Sequence, residues 1–380
     1  MGKHIFLTGA TGFVGSNLIP RILDDNPDNR LTLLVRATTP AEGQQRVEGS
    51  LQLLGKEDDI SRYRKRIEIA MGDITLPHLG FTADLYKRLT QQITHVIHSA
   101  ANVNFQLPLS QSRLNNVYGT ENIMDFSREA FNTGNLKRVA YVSTAYVCGN
   151  KDGTIFEDDL DCRQHFSNSY EQSKYEAEQK LRYYSCQLPI TIFRPSIIVG
   201  HSKTGITSAF NVLYHPLKLL YKGVLKIIPG SPHTPLDVVP IDYVCNAISY
   251  IFLNSEQGIG KIFHLTEGSA IASTAGEIVE GAVHFFTRVF PTVKVTFPRF
   301  ISPVFYHLLR PLSFSGTKVF LNKMEQYIPY LSGQKNFDIS NTRTALADTT
   351  IHAPRLREYF DILLQYCIEV DWGKKLSTSY

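Results

Sequence analysis

The sequence predicts an α/β fold: a doubly wound parallel sheet with a smaller mixed, mainly helical C-terminal portion. Three observations predict it. Short apolar runs alternate with helix-length segments over the first half of the 380-residue chain. A glycine-rich turn stands at the first run-to-helix junction. After Gly200 the character changes, and prolines and basic residues gather. Strands buried on both faces of a parallel sheet read as continuous apolar runs, with helices as the crossovers between them.

The runs fall at residues 4–8, 31–35, 67–70, 95–99, 139–143 and 190–193. Helical spacing covers 12–23 and stops near Asp24, Asn26 and Pro27. Further helical stretches cover 115–133 and 171–186. Residues 201–235 hold Pro216, Pro229, Pro232 and Pro235 and no acidic residue. Residues 238–253 read as a helix entered through Pro240-Ile241-Asp242, and 261–266 as one more strand returning to the sheet. Residues 285–332 are aromatic, proline-punctuated and basic. The expected division is a dinucleotide-binding domain at 1–200, rejoined by 237–268, and a substrate-binding portion at 201–236 and 269–380.

Composition excludes several classes. A hydrophobic share of 43% rules out a disordered chain. A net charge of +4 is too small to imply nucleic-acid binding. Its distribution is uneven: residues 1–200 carry 22 basic and 22 acidic residues, residues 201–380 carry 17 and 13. The five cysteines form no CxxC pair, which reads as a reduced, cytoplasmic protein. The N-terminus lacks the apolar core of a signal peptide, and no apolar stretch is long enough for a spanning helix.

The turn Thr8-Gly9-Ala10-Thr11-Gly12-Phe13-Val14-Gly15 carries the first chemical signal. Gly9 permits a tight turn, Gly12 lets backbone approach a pyrophosphate, and Gly15 lets helix and strand pack closely. The following helix N-terminus offers free N–H groups to phosphate. The spacing is GxxGxxG rather than the usual GxGxxG. The second run ends in Arg36, with no acid there to hold a ribose 2′-hydroxyl. A guanidinium suits the 2′-phosphate of NADPH, through a bond of about 1.5–3 kcal/mol.

Tyr170 and Lys174 stand four apart, on one face of a helix. A nearby ammonium is expected to lower the phenol from its usual value near 10, making Tyr170 a general acid. Ser143 and Thr144 close the fifth run and offer a hydroxyl to polarise a carbonyl. Asn116 is placed to support the lysine through water.

Together these motifs resemble the extended short-chain dehydrogenase/reductase family, with a Rossmann-like fold. The resemblance runs through the loop 8–15, Asp73-Ile74, His98-Ser99-Ala100-Ala101, Asn116-Val117-Tyr118-Gly119-Thr120, Ser143-Thr144, Tyr170 to Lys174 and Arg194-Pro195-Ser196. Within it, Leu34-Val35-Arg36, Ser143-Thr144-Ala145-Tyr146-Val147 and Leu236-Asp237-Val238-Val239-Pro240-Ile241-Asp242 resemble the fatty acyl-CoA reductase and carrier-protein thioester reductase branch. The resemblance implies an NADPH-dependent reductase that converts an acyl thioester of coenzyme A or an acyl carrier protein to an aldehyde, and to an alcohol if the aldehyde stays bound. It makes Thr144, rather than Ser143, the catalytic hydroxyl beside Tyr170, Lys174 and Asn116. It implies cofactor contacts from Gly9, Thr11, Gly12, Phe13, Val14, Gly15, Arg36, Tyr170 and Lys174. Asp73 and Ile74 would meet adenine. Ala100, Ala101 and Asn102 would line the ribose and phosphate path, and Pro195, Ser196 and Ile197 would flank the nicotinamide.

The same fold serves nucleotide-sugar epimerases and dehydratases, hydroxysteroid-type dehydrogenases, aldehyde and ketone reductases, and cofactor-sensing proteins without chemistry. Arg36 opposes an NAD-holding epimerase, and the Tyr/Lys pair opposes a sensor.

Other features carry less. His95 and His98 do not make a metal pair, and His98 is expected to pack under the cofactor loop. Glu157, Asp158, Asp159 and Asp161 read as a solvated acidic loop, so no metal is expected. Cys148 has no evident histidine partner. Lys218, Lys222 and Lys226 form a cationic stripe if helical, facing a coenzyme A phosphate, an acidic carrier protein, an anionic membrane surface or only solvent. The aromatic segment 285–331, with Arg299, Arg310, Lys318 and Lys323, reads either as core packing or as an acyl tunnel or interfacial patch.

Overall fold

A computed structural model of the chain describes every residue except 1, 56, 211, 269–271, 292, 294, 310–327 and 377–380. Seven parallel strands form the central sheet: β1 (His4–Thr8), β2 (Arg30–Val35), β3 (Ile67–Met71), β4 (His95–His98), β5 (Arg138–Val142), β6 (Ile190–Pro195) and β7 (Ile262–Leu265). Their spatial order is β7-β6-β5-β4-β1-β2-β3. The expected runs all lie in this sheet, including the late return at β7.

The crossovers and flanks include α1 (Phe13–Asp25), α2 (Pro40–Gln52), α3 (Glu57–Arg64), α4 (Ala83–Gln92), α5 (Leu109–Arg113), α6 (Gly119–Asn132) and α7 (Ser169–Tyr184). They continue with α8 (Tyr214–Tyr221), α9 (Ile241–Leu253) and α10 (Ala275–Val289). Strand periodicity explains the two-sided core. Ile5 and Leu7 of β1 pack in one cluster with Leu18, Ile22 and Phe252, while Phe6 packs in another with Tyr86 and Phe126. A third cluster joins α8, α10 and the helix Leu356–Glu369 through Leu217, Leu220, Ile278, Phe286 and Leu364.

Strand β1 pairs with β2 on one side and β4 on the other. The order of winding reverses between β1 and β4, and a crevice opens beyond the carboxyl ends of strands at such a reversal.

The second half corrects three expectations. Residues 238–240 are not helical: Val238–Pro240 is a short strand parallel to Ile197–Val199. Proline biases the residue before it towards extended backbone, so the helix starts only at Ile241. The lysine stripe does not form. Helix α8 ends at Tyr221, Gly223 turns with φ +67°, and the Lys226 ammonium lies beyond that turn on the Thr296 hydroxyl at 3.1 Å. The acidic loop is not simply solvated. Glu157 is buried and accepts the N–H groups of His264 (2.9 Å), Asn341 (2.5 Å) and Thr342 (3.2 Å). Two of these donors open the short helix Ser340–Ala345, whose first N–H groups lack internal partners. Arg310, Lys318 and Lys323 lie outside the described residues. Among those residues, no helix is long and apolar enough to cross a membrane.

Candidate active site

The glycine turn lies at the point of reversal. Gly9 has φ +70°, and a Cβ there would stand 2.7 Å from the Ala100 nitrogen, so the turn touches the exit of β4. At Gly15 a Cβ would stand 2.1 Å from the Gly9 carbonyl oxygen, so only glycine lets α1 approach the turn. Gly12 caps α1 without a side chain, and the first turn holds no acid. Its N–H groups therefore remain for an anion. His98 sits beneath, buried between the Thr8 hydroxyl (2.7 Å) and the Thr120 hydroxyl (3.1 Å). Burial pushes its pKa down to about 3, so the ring is neutral.

A cleft of about 860 Å³ runs from this turn to α7. Gly9, Thr11, Gly12, Phe13, Val14, Arg36, Asp73, Ile74, Ala100, Ala101, Asn102, Thr144, Tyr170, Lys174, Pro195, Ser196 and Ile197 all line it. Gly15 does not line it and sits behind the turn. Asn116 does not line it either. Its amide is spent on Asn102 N–H (2.7 Å), Asn102 C=O (3.0 Å) and the Ser173 hydroxyl (2.9 Å), so it holds the loop after β4.

Two bonds hold the loop after β3. The Asp73 carboxylate accepts Thr75 N–H at 2.8 Å, and Asn122 donates to the Ile74 carbonyl at 2.7 Å. Exposed Arg36 follows β2. Arg46 of α2 also lines the cleft, and its guanidinium donates to the Arg36 carbonyl. Sequence reasoning missed Arg46. The available signal was Thr39-Pro40-Ala41-Glu42, a helix start that folds α2 back along this edge: Thr39 caps Glu42 N–H at 3.2 Å.

At the far end, α7 starts on Asn168, whose side chain accepts Glu171 N–H at 2.9 Å. This places Tyr170 in its first turn and Lys174 one turn later. Lys174 is buried, donates to the Val142 carbonyl at 2.7 Å, and stands 4.0 Å above the Tyr141 ring. Burial pushes its pKa down to about 7. The Tyr170 phenol moves opposite to expectation: burial pushes it up to about 12, and the Thr144 hydroxyl only partly offsets this. Desolvation dominates, and the Lys174 amine is turned away, towards Val142 and Tyr141. Thr144 Oγ1 accepts Tyr146 N–H at 3.3 Å. The Ser143 hydroxyl also lines the cleft, buried and without a hydrogen-bond partner.

Tyr330 completes this end from 160 residues away in sequence. Its hydroxyl donates to Glu171 at 2.5 Å and accepts from Asn168 at 3.0 Å. Phe105 stacks between Tyr170 (5.7 Å) and Tyr330 (6.1 Å). Behind the cleft, Arg194 of β6 is fully buried against Glu178 of α7. Burial lifts the Cys148 thiol to about 12, which leaves it protonated and a poor nucleophile. Among the described residues, no cluster of His, Cys, Asp and Glu could hold a metal ion.

The doubly wound sheet, the steric cradle at Gly9 and Gly15, and the Tyr170/Lys174 pair at the far end define a dinucleotide-binding domain of the extended short-chain dehydrogenase/reductase type. More narrowly, residues 7–248 match the NAD-binding family described as male sterility protein, and the chain belongs to that family. It is 28% identical over 277 residues to a fatty acyl-CoA reductase of Drosophila melanogaster, covering 65% of this chain and 53% of that protein. It is 33% identical over 259 residues to a non-canonical nonribosomal peptide synthetase of Aspergillus campestris, covering 65% of this chain and 24% of that protein. The chain thus spans about half or less of the length of these relatives. Among solved structures it resembles the terminal R domain of the myxalamid PKS-NRPS biosynthetic pathway, with TM-score 0.81, 27% identity, and coverage of 98% and 92%. A UDP-glucuronic acid 4-epimerase of Bacillus cereus shares the fold, with TM-score 0.67, 19% identity, and coverage of 97% and 99%.

Proposed function

We propose that this chain is an NADPH-dependent reductase of an acyl thioester carried on coenzyme A or an acyl carrier protein. The observation that carries the reading is convergence. Thr144, Tyr170 and Lys174 line one cleft with the glycine turn, and with Pro195, Ser196 and Ile197, the Pro195 carbonyl lying 3.5 Å from the Thr144 hydroxyl. The likeness to a fatty acyl-CoA reductase and to an R domain supports the thioester class. Arg36 and Arg46, both lining the cleft, support NADPH over NADH. In this reading residues 1–200 and 237–268 hold the cofactor, while 201–236 and 269–380 receive the acyl donor.

When bound, the reduced nicotinamide supplies the hydride. Thr144 and Tyr170 donate hydrogen bonds to the oxygen that gains negative charge as the carbonyl is reduced. Burial keeps the Tyr170 phenol protonated at neutral pH, which is the state a proton donor needs. Its proton passes to that oxygen and gives a hemithioacetal. The hydroxyl proton returns to the Tyr170 oxygen as the C–S bond breaks, the sulfur takes a proton from solvent, and thiol and aldehyde leave. Losing one such donor typically slows the reaction by about 10²–10³-fold.

The test is NADPH oxidation against long-chain acyl-CoA, an acyl-carrier thioester, free aldehyde and nucleotide sugars, with wild type and Tyr170→Phe. Thioester-dependent oxidation that Tyr170→Phe abolishes, with NADPH affinity retained, is expected. Activity on aldehydes alone overturns the thioester reading, and full activity in Tyr170→Phe overturns the assignment of the acid.

A further inference from the structure

Beside the cleft lies a second recess, of about 70 Å³, and among the described residues no polar atom faces it. Leu217 and Leu220 of α8 wall one side, and Ala275 and Ile278 of α10 another. Ile228 and Phe300, from the paired segments Ile227–Pro229 and Arg299–Ile301, close it. Ile197, Val212 and Tyr330 line both this recess and the cleft. The cleft and the recess therefore adjoin at these three side chains, and Tyr330 is the one held by hydrogen bonds. Its hydroxyl is tied to Glu171 and Asn168, and its ring is packed by Phe105 and Tyr146 at 5.0 Å.

We propose that this recess takes the terminal alkyl segment of the acyl group whose carbonyl reacts at Thr144 and Tyr170. The proposal rests on the thioester-reductase reading. A sugar or nucleotide entering here would leave its hydroxyls without partners, since the wall offers no donor or acceptor. Water is disfavoured for the same reason: an apolar cavity stays dry and binds apolar guests. Size sets a limit on the occupant. An apolar cavity of about 150 Å³ holds benzene, so the present volume suits about three carbons. Each methylene moved from water into such a space contributes about fourfold to affinity. Binding of this remote part is available to lower the barrier at the carbonyl.

The experiment uses two homologous series on pantetheine, the arm common to coenzyme A and carrier proteins. S-alkyl thioethers, which cannot be reduced, report binding to the NADPH-loaded protein by calorimetry. S-acyl thioesters report kcat/KM. Both are expected to rise about fourfold per carbon over a window of about three carbons and then flatten. Ala275→Phe, which fills the recess, is expected to erase the window while the shortest thioether binds as before. Ile278→Ala, which enlarges it, is expected to extend the window. A flat series in wild type, or a window unmoved by either variant that melts like wild type, overturns the proposal. If Ala275→Phe does not fold, the direction of the shift in Ile278→Ala decides. A binding window without reduction of any S-acyl thioester would sink the reductase reading and leave the recess assigned. Reduction with a flat series would sink the recess alone.

Discussion

Replacing Glu178 with alanine tests how α7, which carries Tyr170 and Lys174, is held to the sheet. Arg194 and Glu178 have side chains 0% and 1% exposed. The guanidinium reaches the carboxylate at 2.6, 3.0 and 3.2 Å, and donates to the carbonyls of Glu157 at 3.0 Å and Asp159 at 2.8 Å. Glu178 lies one turn after Lys174 on α7, and Arg194 directly precedes Pro195 on β6. The pair thus ties the Tyr170/Lys174 helix to the strand that walls the cleft. Removing one partner leaves a buried, uncompensated charge, which costs about 3–5 kcal/mol. At about 2.1 cal/mol/K per residue, 380 residues give an unfolding entropy of roughly 0.8 kcal/mol/K. The melting temperature should then fall by about 4–6 °C in differential scanning calorimetry. The double variant Glu178→Leu/Arg194→Leu removes both charges, but the Glu157 and Asp159 carbonyls then lose their donor at about 1–3 kcal/mol each, which offsets most or all of that gain. A Glu178→Ala melt within about 1 °C of wild type would refute the reasoning.

Other expectations follow from the same geometry. Arg36→Ala and Arg46→Ala should each lower the NADPH-to-NADH preference in kcat/KM about tenfold, the low end for a charge-assisted bond, because Arg36 is exposed; an unchanged ratio in both variants removes the arginines from cofactor choice. Gly15→Ala should lose dinucleotide affinity, read by fluorescence quenching, because its Cβ would fall 2.1 Å from the Gly9 oxygen. Burial, and then the Asp237 carboxylate, raise Glu267 from 4.5 to about 8. The folded state therefore binds the extra proton between those values, and stability falls as pH rises through that window, by up to about 1.4 kcal/mol per pH unit. Urea midpoints of Glu267→Gln minus wild type should show this slope, and parallel curves would count against it.

The glycine-turn end of the cleft was more legible in the sequence than the Tyr330 end, and the reason is local chemistry. Gly9 and Gly15 are required by contacts within the turn and its neighbouring strand, so their spacing alone exposed them. Tyr170 and Lys174 were legible because one helical turn brings them together. The sheet was legible because strands such as β1, buried on both faces, leave continuous apolar runs. Residues 238–240 misled because a short run such as Val238-Val239 fits helix and strand alike until its pairing with Ile197–Val199 is known. The lysines misled differently: their period of four ignored Gly223, which ends the helix.

What the sequence hid depends on which distant segment arrives. Glu157 looked solvated because its partners, His264, Asn341 and Thr342, lie more than 100 residues on. The direction of the Tyr170 shift was hidden for the same reason. Spacing showed the lysine on the same helix, but only the assembled fold shows that its amine turns to Val142 and that burial raises the phenol. Tyr330 combines both lessons. No motif marks it, yet it bonds the residue next to the proposed acid and lines both the cleft and the apolar recess. Under the proposed function, turn glycines and the Tyr/Lys pair would set the chemistry through local backbone, and acyl selectivity would depend on side chains delivered by α8, α10 and Tyr330. That separation predicts that substitutions at Ala275 or Ile278 move substrate preference and leave NADPH affinity where it is.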